Sequence, residues 1–201
     1  MKKFKANDNK NEEHEINYRQ FNKKLELLNQ ILSLISDINQ ASDEKEVKDC
    51  IPALLQYTGE YTDADRVYIF ELMSEKQDYY SNTFEWCRKG IIPQIDNLIR
   101  ISADSMPVWH EKFLRGETII IHDLEKIRET MPSEYDILKV QDIHSLLVLP
   151  LFANTQLSGF IGLDNPELVN PGVSISLLSN AGGHLASTLN NLRMFRMLEE
   201  K

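Results

Sequence analysis

The sequence is poor in cysteine and in basic residues. It has only two cysteines, Cys50 and Cys87, and neither stands in a CxxC motif or beside a histidine at metal-ligand spacing. No disulfide framework, zinc site or other metal site is therefore expected. Basic residues number 22 against 31 acidic ones, which gives a net charge of -9. This balance disfavours nucleic acid and anionic lipid as partners.

Long apolar runs are also absent. The longest one, Leu146 to Ala153, is far shorter than the roughly 20 residues that a membrane span needs. The Lys-rich N-terminus lacks the apolar core of a signal peptide. We therefore expect a cytoplasmic protein with no membrane span.

The usual catalytic motifs are missing as well. No GxSxG, P-loop, GxGxxG or HExxH pattern occurs, and Gly182-Gly183 falls inside a predicted helix, where it cannot cradle phosphate. The histidines stand on different predicted elements and form no cluster: His110, His122, His144 and His184. The sequence thus predicts no catalytic residue and no cofactor. Cys87, a thiol at the end of a predicted strand, is the one redox candidate.

What the sequence does contain suits one globular domain of 201 residues with 42% hydrophobic content. Its most informative stretch runs from Ile143 to Pro166. Apolar residues occupy both alternating faces of Ser145 to Phe152, which predicts a strand covered on both sides. A polar break at 153–156 and a second extended run to Asp164 predict a hairpin with a loop of about four residues.

A helix is predicted from Phe21 to Ile38, after a polar lead-in at 1–20 that we expect to be disordered or frayed. The helix carries two apolar stripes. They comprise Phe21, Leu25, Leu28, Leu32 and Ile35, and then Leu27, Ile31, Leu34 and Ile38. Two stripes predict two partners, the domain's own sheet and an identical helix of a second subunit. The alternative is one wide buried face.

The remaining elements follow in order. A second helix is predicted to begin with Asp43 as its N-cap and Glu46 as the reciprocal carboxylate. Pro52 should kink or divide this helix. Strands are predicted at 65–71, 79–86, 98–101 and 118–122, and in the second of these Tyr80, Phe84 and Trp86 should share one face. Short helices are expected from a Ser105 cap to Gly116 and over 132–140, and a long helix from Ser174 onward.

Aromatic and apolar residues gather in the middle of the chain, where predicted helices are short and connections long. Such segments commonly wall a small-molecule pocket over a sheet. The candidate pocket residues are Phe84, Trp86, Ile101, Met106, Trp109 and Phe113. The alternative is a second hydrophobic layer that binds nothing.

The order of elements and four segments resemble a GAF domain. The segments are Ala64–Glu71 (ADRVYIFE), Phe84–Cys87 (FEWC) followed by Gly90-Ile91, Ser145–Pro150 (SLLVLP) and Gly159–Asp164 (GFIGLD). The resemblance covers about Leu25 to Leu198 and is to the sensor domains that precede diguanylate cyclase (GGDEF) or histidine kinase outputs in bacteria. One departure is Asp142, where the family has glycine; aspartate tolerates the left-handed backbone that such a turn needs.

The resemblance implies an α+β fold related to PAS domains. A central antiparallel sheet of about six strands would carry the terminal helices on one face and short helices and loops on the other. The domain would span 21–198, with 199–201 starting a linker to an output domain. It would form a homodimer through its terminal helices, by way of Phe21, Leu28, Ile35, Leu185, Leu192 and Phe195.

The function implied is that of a non-catalytic sensory module of two-component or cyclic-di-nucleotide signalling, which binds a small ligand or partner and passes the signal along its last helix. The full-length protein would be a diguanylate cyclase or a histidine kinase. Two alternatives stay open: a stand-alone thiol enzyme of the free methionine sulfoxide reductase type, and a structural dimerisation domain without ligand. Bilin-binding members use a Cys-His pair, whereas Cys87 is followed by Arg88, and the Asn-Lys-Phe-Asp-Glu set of cyclic-nucleotide binders is not visible.

Overall fold

The structure is a computed structural model that describes residues 2–74, 78–167 and 171–199. Within these ranges the chain forms five α-helices and a six-stranded sheet. The helices are α1 Lys2–Gln40, α2 Glu44–Thr62, α3 Pro107–Leu114, α4 Pro132–Lys139 and α5 Pro171–Glu199. The strands are β1 Arg66–Ser74, β2 Asp78–Cys87, β3 Ile101–Ser102, β4 Ile119–Ile121, β5 Leu146–Ala153 and β6 Gln156–Asp164. The predicted linker at 199–201 lies, apart from Glu199, outside the described residues.

The sheet has the order β3-β2-β1-β6-β5-β4 with antiparallel pairing throughout, which confirms the α+β fold. The β5–β6 hairpin that the sequence predicts supplies two of its four inner strands. The loop is shorter than expected, because Ala153 pairs with Gln156 and leaves only Asn154 and Thr155, at φ +48° and +68°, to turn the chain. Positive φ at both central residues is the geometry that matches the twist of a two-residue hairpin.

Both faces of the sheet are buried, each in its own hydrophobic core. Leu147, Leu149 and Leu151 of β5 pack under the terminal helices α1, α2 and α5. Leu146 and Val148 point the other way, into a core that contains α3 and α4. The prediction of a strand covered on both sides is therefore confirmed. Among the described residues, no helix combines the length and apolar character needed to cross a bilayer.

A β-bulge in β2 overturns the predicted facing of its side chains. Ile69 pairs with Phe84 while the next residue, Phe70, pairs with Asn82, so Thr83 is an extra residue in the ladder. An extra residue reverses the alternation of side chains beyond it. Tyr80 therefore lies in the α3–α4 core, whereas Phe84 and Trp86 pack on the side of the terminal helices.

Helix α1 begins at Lys2, so helical backbone extends through most of the segment for which the sequence predicts a disordered lead-in. The physical reason is the absence of a helix breaker: the first proline is Pro52 and the first glycine is Gly59. An i,i+4 ion pair between Glu15 and Arg19 adds support to this part of the helix.

The two apolar stripes of α1 differ in their exposure to solvent. Leu27, Ile31 and Ile38 are buried in the core of the terminal helices. Phe21, Leu25 and Leu32 are 65%, 47% and 53% exposed. The alternative prediction, in which both stripes form one wide buried face of α1, is therefore wrong. Of the residues predicted for dimer contacts, Ile35 and Leu185 are buried within the chain's own core, Leu28 and Leu192 are half-buried, and the side chain of Phe195 lies outside the described part.

Local signals at other helix ends agree in part with the structure. Asp43 caps α2 by accepting a hydrogen bond from the Glu46 N–H, as predicted. The reciprocal bond of Glu46 is shifted by one residue from a capping box, because Glu46 accepts from the N–H of Ser42 and not from that of Asp43. Pro52 does not divide α2, which is continuous from Glu44 to Thr62. Ser105 belongs to a 3-10 turn and caps nothing, since α3 starts at Pro107 without a side-chain cap of its own. Asp142 does adopt the left-handed conformation, with φ +59°.

Candidate functional site

A small cavity of about 40 Å³ lies between the sheet and the layer of α3 and α4. The sheet contributes Tyr68 and Phe70 from β1 and Phe160 from β6, whose rings contact one another. The covering layer contributes Met106, Trp109 and Leu138 among others. A space of this size holds about three water molecules or a ligand of a few atoms.

The structure brings together only part of the predicted pocket. Ile101, Met106 and Trp109 line the cavity. Phe113 is fully buried next to it and contacts Trp109 and Phe160 through its ring. Its ring supports the cavity wall from behind, so it contributes to the shape of the site.

Phe84 and Trp86 lie on the opposite face of the sheet. The bulge at Thr83 turns both side chains toward the terminal helices, where Trp86 packs against α2 at Gly59. Phe84 instead lines an open hollow of about 210 Å³ between the sheet and α5. These two residues therefore cannot contact a ligand in the cavity under α3 and α4.

Glu134 is the polar residue that joins the two short helices over the cavity. Its Oε1 accepts hydrogen bonds from the backbone N–H groups of Val108 and Trp109, at 2.8 and 3.1 Å. A carboxylate from α4 thus supplies the N-terminal cap that α3 lacks, where the helix dipole favours negative charge. Its Oε2 is buried without a hydrogen-bond partner, as is the Trp109 Nε1–H. Buried polar atoms without partners are uncommon and call for an explanation.

A buried ion pair closes the cavity on the sheet side. Arg66 Nε lies 2.9 Å from Asp164 Oδ2, and the Tyr68 hydroxyl donates to Asp164 Oδ1 at 2.9 Å. The Arg66 guanidinium also donates to the carbonyl of Gln141 at 2.7 Å. Burial raises the pKa of Asp164, while Arg66 and the Tyr68 hydroxyl favour the charged carboxylate and oppose that rise. The pair ties β1 and β6 to the chain after α4.

The described lining of the cavity is acidic. Glu85, Glu134 and Asp164 contribute carboxyl groups, and the described lining has no lysine, arginine or histidine. Glu85 accepts hydrogen bonds from the backbone N–H groups of Gln94 and Ile95 and from the Asn82 amide. Its charge is thus used to hold the 94–95 loop, and that of Asp164 is paired with Arg66. Of the three carboxyl groups in the described lining, that of Glu134 is the one with a buried oxygen that lacks a hydrogen-bond partner.

Cys87, the predicted redox candidate, is a free and partly buried thiol. Burial raises its pKa to about 12, and a hydrogen bond to Glu85 contributes to the rise. Reactive cysteines have the opposite environment, one that lowers the pKa and keeps a thiolate at neutral pH. Burial also raises the pKa of Cys50. Over residues 2–74, 78–167 and 171–199, no group of three or more His, Cys, Asp or Glu side chains is arranged to hold a metal ion.

Sequence reasoning missed the polar members of this site. Glu134 directly follows Pro132-Ser133 at the predicted start of α4, a position where an acidic residue usually serves its own helix, so nothing in its neighbourhood points to α3. Asp164 and Arg66 each stand in a segment that resembles the GAF family, GFIGLD for Asp164 and ADRVYIFE for Arg66. The signal that could have paired them is that each is a charged residue directly beside an apolar run, Val67 to Phe70 for Arg66 and Phe160 to Leu163 for Asp164.

Comparisons with known proteins agree with this architecture. A sequence model of the GAF domain family matches residues 46–175. The methanogenesis regulatory histidine kinase FilI of Methanothrix harundinacea (strain 6Ac) is 32% identical to the chain over 146 residues. That alignment covers 70% of the chain and 16% of the relative, so the chain spans less than a fifth of that protein's length.

Similar folds are found in solved photoreceptor structures. The phycoerythrobilin-bound GAF domain from a cyanobacterial phytochrome superposes with a TM-score of 0.65 at 15% identity, over 85% of this chain and 97% of that one. A bacteriophytochrome from the photosynthetic bacterium R. palustris gives a TM-score of 0.65 at 14% identity, over 87% of this chain and 39% of that one. At these identities the likeness is one of fold.

Proposed function

Since the chain belongs to the GAF domain family, we propose that it is a non-catalytic sensory module that binds a small ligand and passes the signal through its terminal helices. The observation that carries the proposal is the cavity of about 40 Å³ under α3 and α4, which combines aromatic walls with two unpartnered polar atoms. Apolar cavities with a few convergent polar groups are the usual form of small-molecule sites. We propose that the protein works in the cytoplasm.

The proposed output is a histidine kinase or a diguanylate cyclase. The relative from Methanothrix harundinacea is a histidine kinase, which supports the first of these. In our proposal α5 connects the domain to that output. Its residues Leu185 and Leu189 lie in the same core as Leu151 and Ile161 of the sheet, so a change in the sheet has a direct route to α5.

The proposed ligand is much smaller than a bilin. The GAF domain from a cyanobacterial phytochrome, whose fold is similar, is bound to phycoerythrobilin. A cavity of about 40 Å³ has room for a few atoms only. The stand-alone thiol enzyme is disfavoured by the raised pKa of Cys87, and the purely structural domain by the unpartnered atoms of Glu134 and Trp109.

Ligand binding can be tested with a matched pair of tryptophan variants. The protein has two tryptophans, of which Trp109 lines the cavity and Trp86 lies across the sheet. We expect at least one compound from a panel of small metabolites to raise the melting temperature of the native protein and of Trp86→Phe, but not of Trp109→Phe. Differential scanning fluorimetry measures this. A panel without such a compound, or a shift that survives Trp109→Phe, would refute the proposed site.

We further propose that the module is a homodimer through α1. Phe21, Leu25, Leu28 and Leu32 follow one another at spacings of four, three and four residues, which is the repeat of a coiled-coil seam. Three of the four are largely exposed, with exposed fractions between 47% and 65%. A row of exposed apolar residues on one helix is typical of an interaction surface. The other stripe of α1 is occupied by packing against α2 and α5, so the two surfaces do not compete.

The dimer predicts a specific sensitivity to charge on α1. Leu25→Glu/Leu32→Glu should convert the dimer to a monomer, because two carboxylates in each helix would face each other across the seam. Analytical ultracentrifugation provides the mass. The control is Val140→Glu, which adds charge at a residue that is 84% exposed at the end of α4, in the layer across the sheet. A native protein that sediments as a monomer at all concentrations would disprove the dimer.

A further inference from the structure

We infer that the ligand of the cavity is a small uncharged amide. The inference rests on the proposed function, since it names the chemical class that the proposed site would take. The site would recognise the amide N–H through Glu134 Oε2 and the amide oxygen through the indole N–H of Trp109. Both protein atoms are buried and lack a hydrogen-bond partner, and both residues line the cavity.

The two unpartnered atoms are complementary in kind. A charged Glu134 carboxylate has no proton to donate, so its Oε2 acts only as an acceptor. The indole N–H of Trp109 acts only as a donor. A ligand that satisfies both must therefore carry a donor and an acceptor, as an amide does within one planar group. A carboxylate ligand has two acceptors and no donor. A simple ammonium ion has donors and no acceptor.

The charge of the cavity lining points the same way. Three carboxyl groups face or border the space, from Glu85, Glu134 and Asp164, and only Asp164 is paired with a cation, Arg66. An anion would enter a site that already holds negative charge at low dielectric, which costs free energy. Phosphate and carboxylate ligands are disfavoured for this reason.

The size of the cavity limits the ligand to a short one. About 40 Å³ corresponds to roughly three water positions, and acetamide, with four non-hydrogen atoms, matches that space. At the efficiency ceiling for very small ligands, four atoms give a Kd of tens of micromolar at best. The apolar walls, such as Phe160 and Met106, would contact the methyl group.

Glu134→Gln can separate the capping of α3 from the recognition of the ligand. In Glu134→Gln the side-chain carbonyl can still accept from the Val108 and Trp109 N–H groups, in place of Oε1. The amide nitrogen then occupies the place of Oε2, so a donor replaces the free acceptor and the negative charge is removed. The fold should persist while the hydrogen-bonding preference of the cavity changes.

The two indole N–H groups allow a direct measurement. Trp109 and Trp86 are the two tryptophans of the chain, so a ¹⁵N-labelled sample gives two indole resonances, which Trp109→Phe and Trp86→Phe assign. We expect acetamide, titrated to about 100 mM so as to exceed its Kd, to move the Trp109 resonance saturably and leave that of Trp86 unchanged. Acetate, which has the same shape but a negative charge, should move neither.

Glu134→Gln should change this selectivity. We expect acetamide to bind at least about tenfold more weakly, since it loses a hydrogen bond to a charged acceptor, while acetate begins to move the Trp109 resonance. Native protein that binds acetate in preference to acetamide would overturn the amide inference and leave ligand binding at this cavity intact. No response to either probe would mean that water alone fills the space and would also overturn the inference. The metabolite panel then decides the proposed function separately.

Discussion

Arg66→Met is expected to lower the free energy of unfolding by about 3–5 kcal/mol, the usual cost of leaving a buried charge without its partner. The Arg66 and Asp164 side chains are 4% and 2% exposed, and the guanidinium lies 2.9 Å from the carboxylate. Methionine occupies similar space but offers no charge. Asp164 would keep only the hydrogen bond from the Tyr68 hydroxyl. Urea denaturation of the native and variant proteins measures the difference.

A second substitution separates the lost charge pair from the lost volume. In Arg66→Met/Asp164→Asn the carboxylate is replaced by an amide that still accepts from Tyr68, so no buried charge is left. We expect the double variant to be more stable than Arg66→Met alone. A double variant that is no more stable than Arg66→Met would show that the unpaired carboxylate is not the cause of the loss. As a surface control, Lys45→Met breaks the exposed pair between Lys45 and Asp49 and should give no measurable change.

The Arg66→Met variant should also respond to pH. Burial raises the pKa of Asp164, and the charge of Arg66 opposes that rise. Removing Arg66 therefore raises the pKa of Asp164 in the folded protein further above its value in the unfolded chain. The folded variant then binds a proton that the unfolded chain has released, and stability falls as pH increases. The difference in the free energy of unfolding between the native protein and Arg66→Met should be smallest near pH 5. It should grow toward pH 9, by at most about 1.4 kcal/mol per pH unit. A loss that is constant over this range would contradict the assignment.

The fold was predictable where one local pattern decides the structure. The apolar residues on both faces of Leu146 to Leu151 can satisfy neither face in water, so a strand between two layers is the consistent solution. The bulge at Thr83 was not predictable, because it depends on how β2 pairs with β1 and leaves the alternation of residue types unbroken. One inserted residue is enough to move Phe84 and Trp86 to the other face.

The candidate site was predictable in its apolar members and not in its polar ones. Trp109 and Met106 stand out as large apolar residues in a region of short helices. Glu134 acts on backbone N–H groups 25 and 26 residues away, a relation that arises only when α3 and α4 are packed side by side. Sequence spacing finds polar groups that act within one element, whereas a cavity is built from groups on several elements.

Gly59→Ala is expected to destabilise the protein by about 3 kcal/mol, the upper part of the range for overpacking. In an exposed helix the same change would add stability, because alanine is the better helix former by about 1 kcal/mol. Gly59 lies inside α2, and a Cβ there would overlap the six-membered ring of Trp86. The overlap can be relieved only if the Trp86 ring moves or β2 and α2 separate, and either movement disturbs the packing between them.

The matched control is Gly183→Ala. Gly183 also lies inside a helix, α5, and a Cβ at this position would meet no atom within 4 Å apart from its chain neighbours and the adjacent backbone of its own helix. We expect this variant to gain about 1 kcal/mol, from helix propensity alone. Thermal and urea denaturation of the two variants should therefore give effects of opposite sign. If Trp86 causes the loss, Trp86→Leu combined with Gly59→Ala should cost less than the sum of the two single changes, since the smaller side chain makes room for the methyl group. Two glycine variants with the same sign of effect would show that Trp86 does not pack against α2 as described.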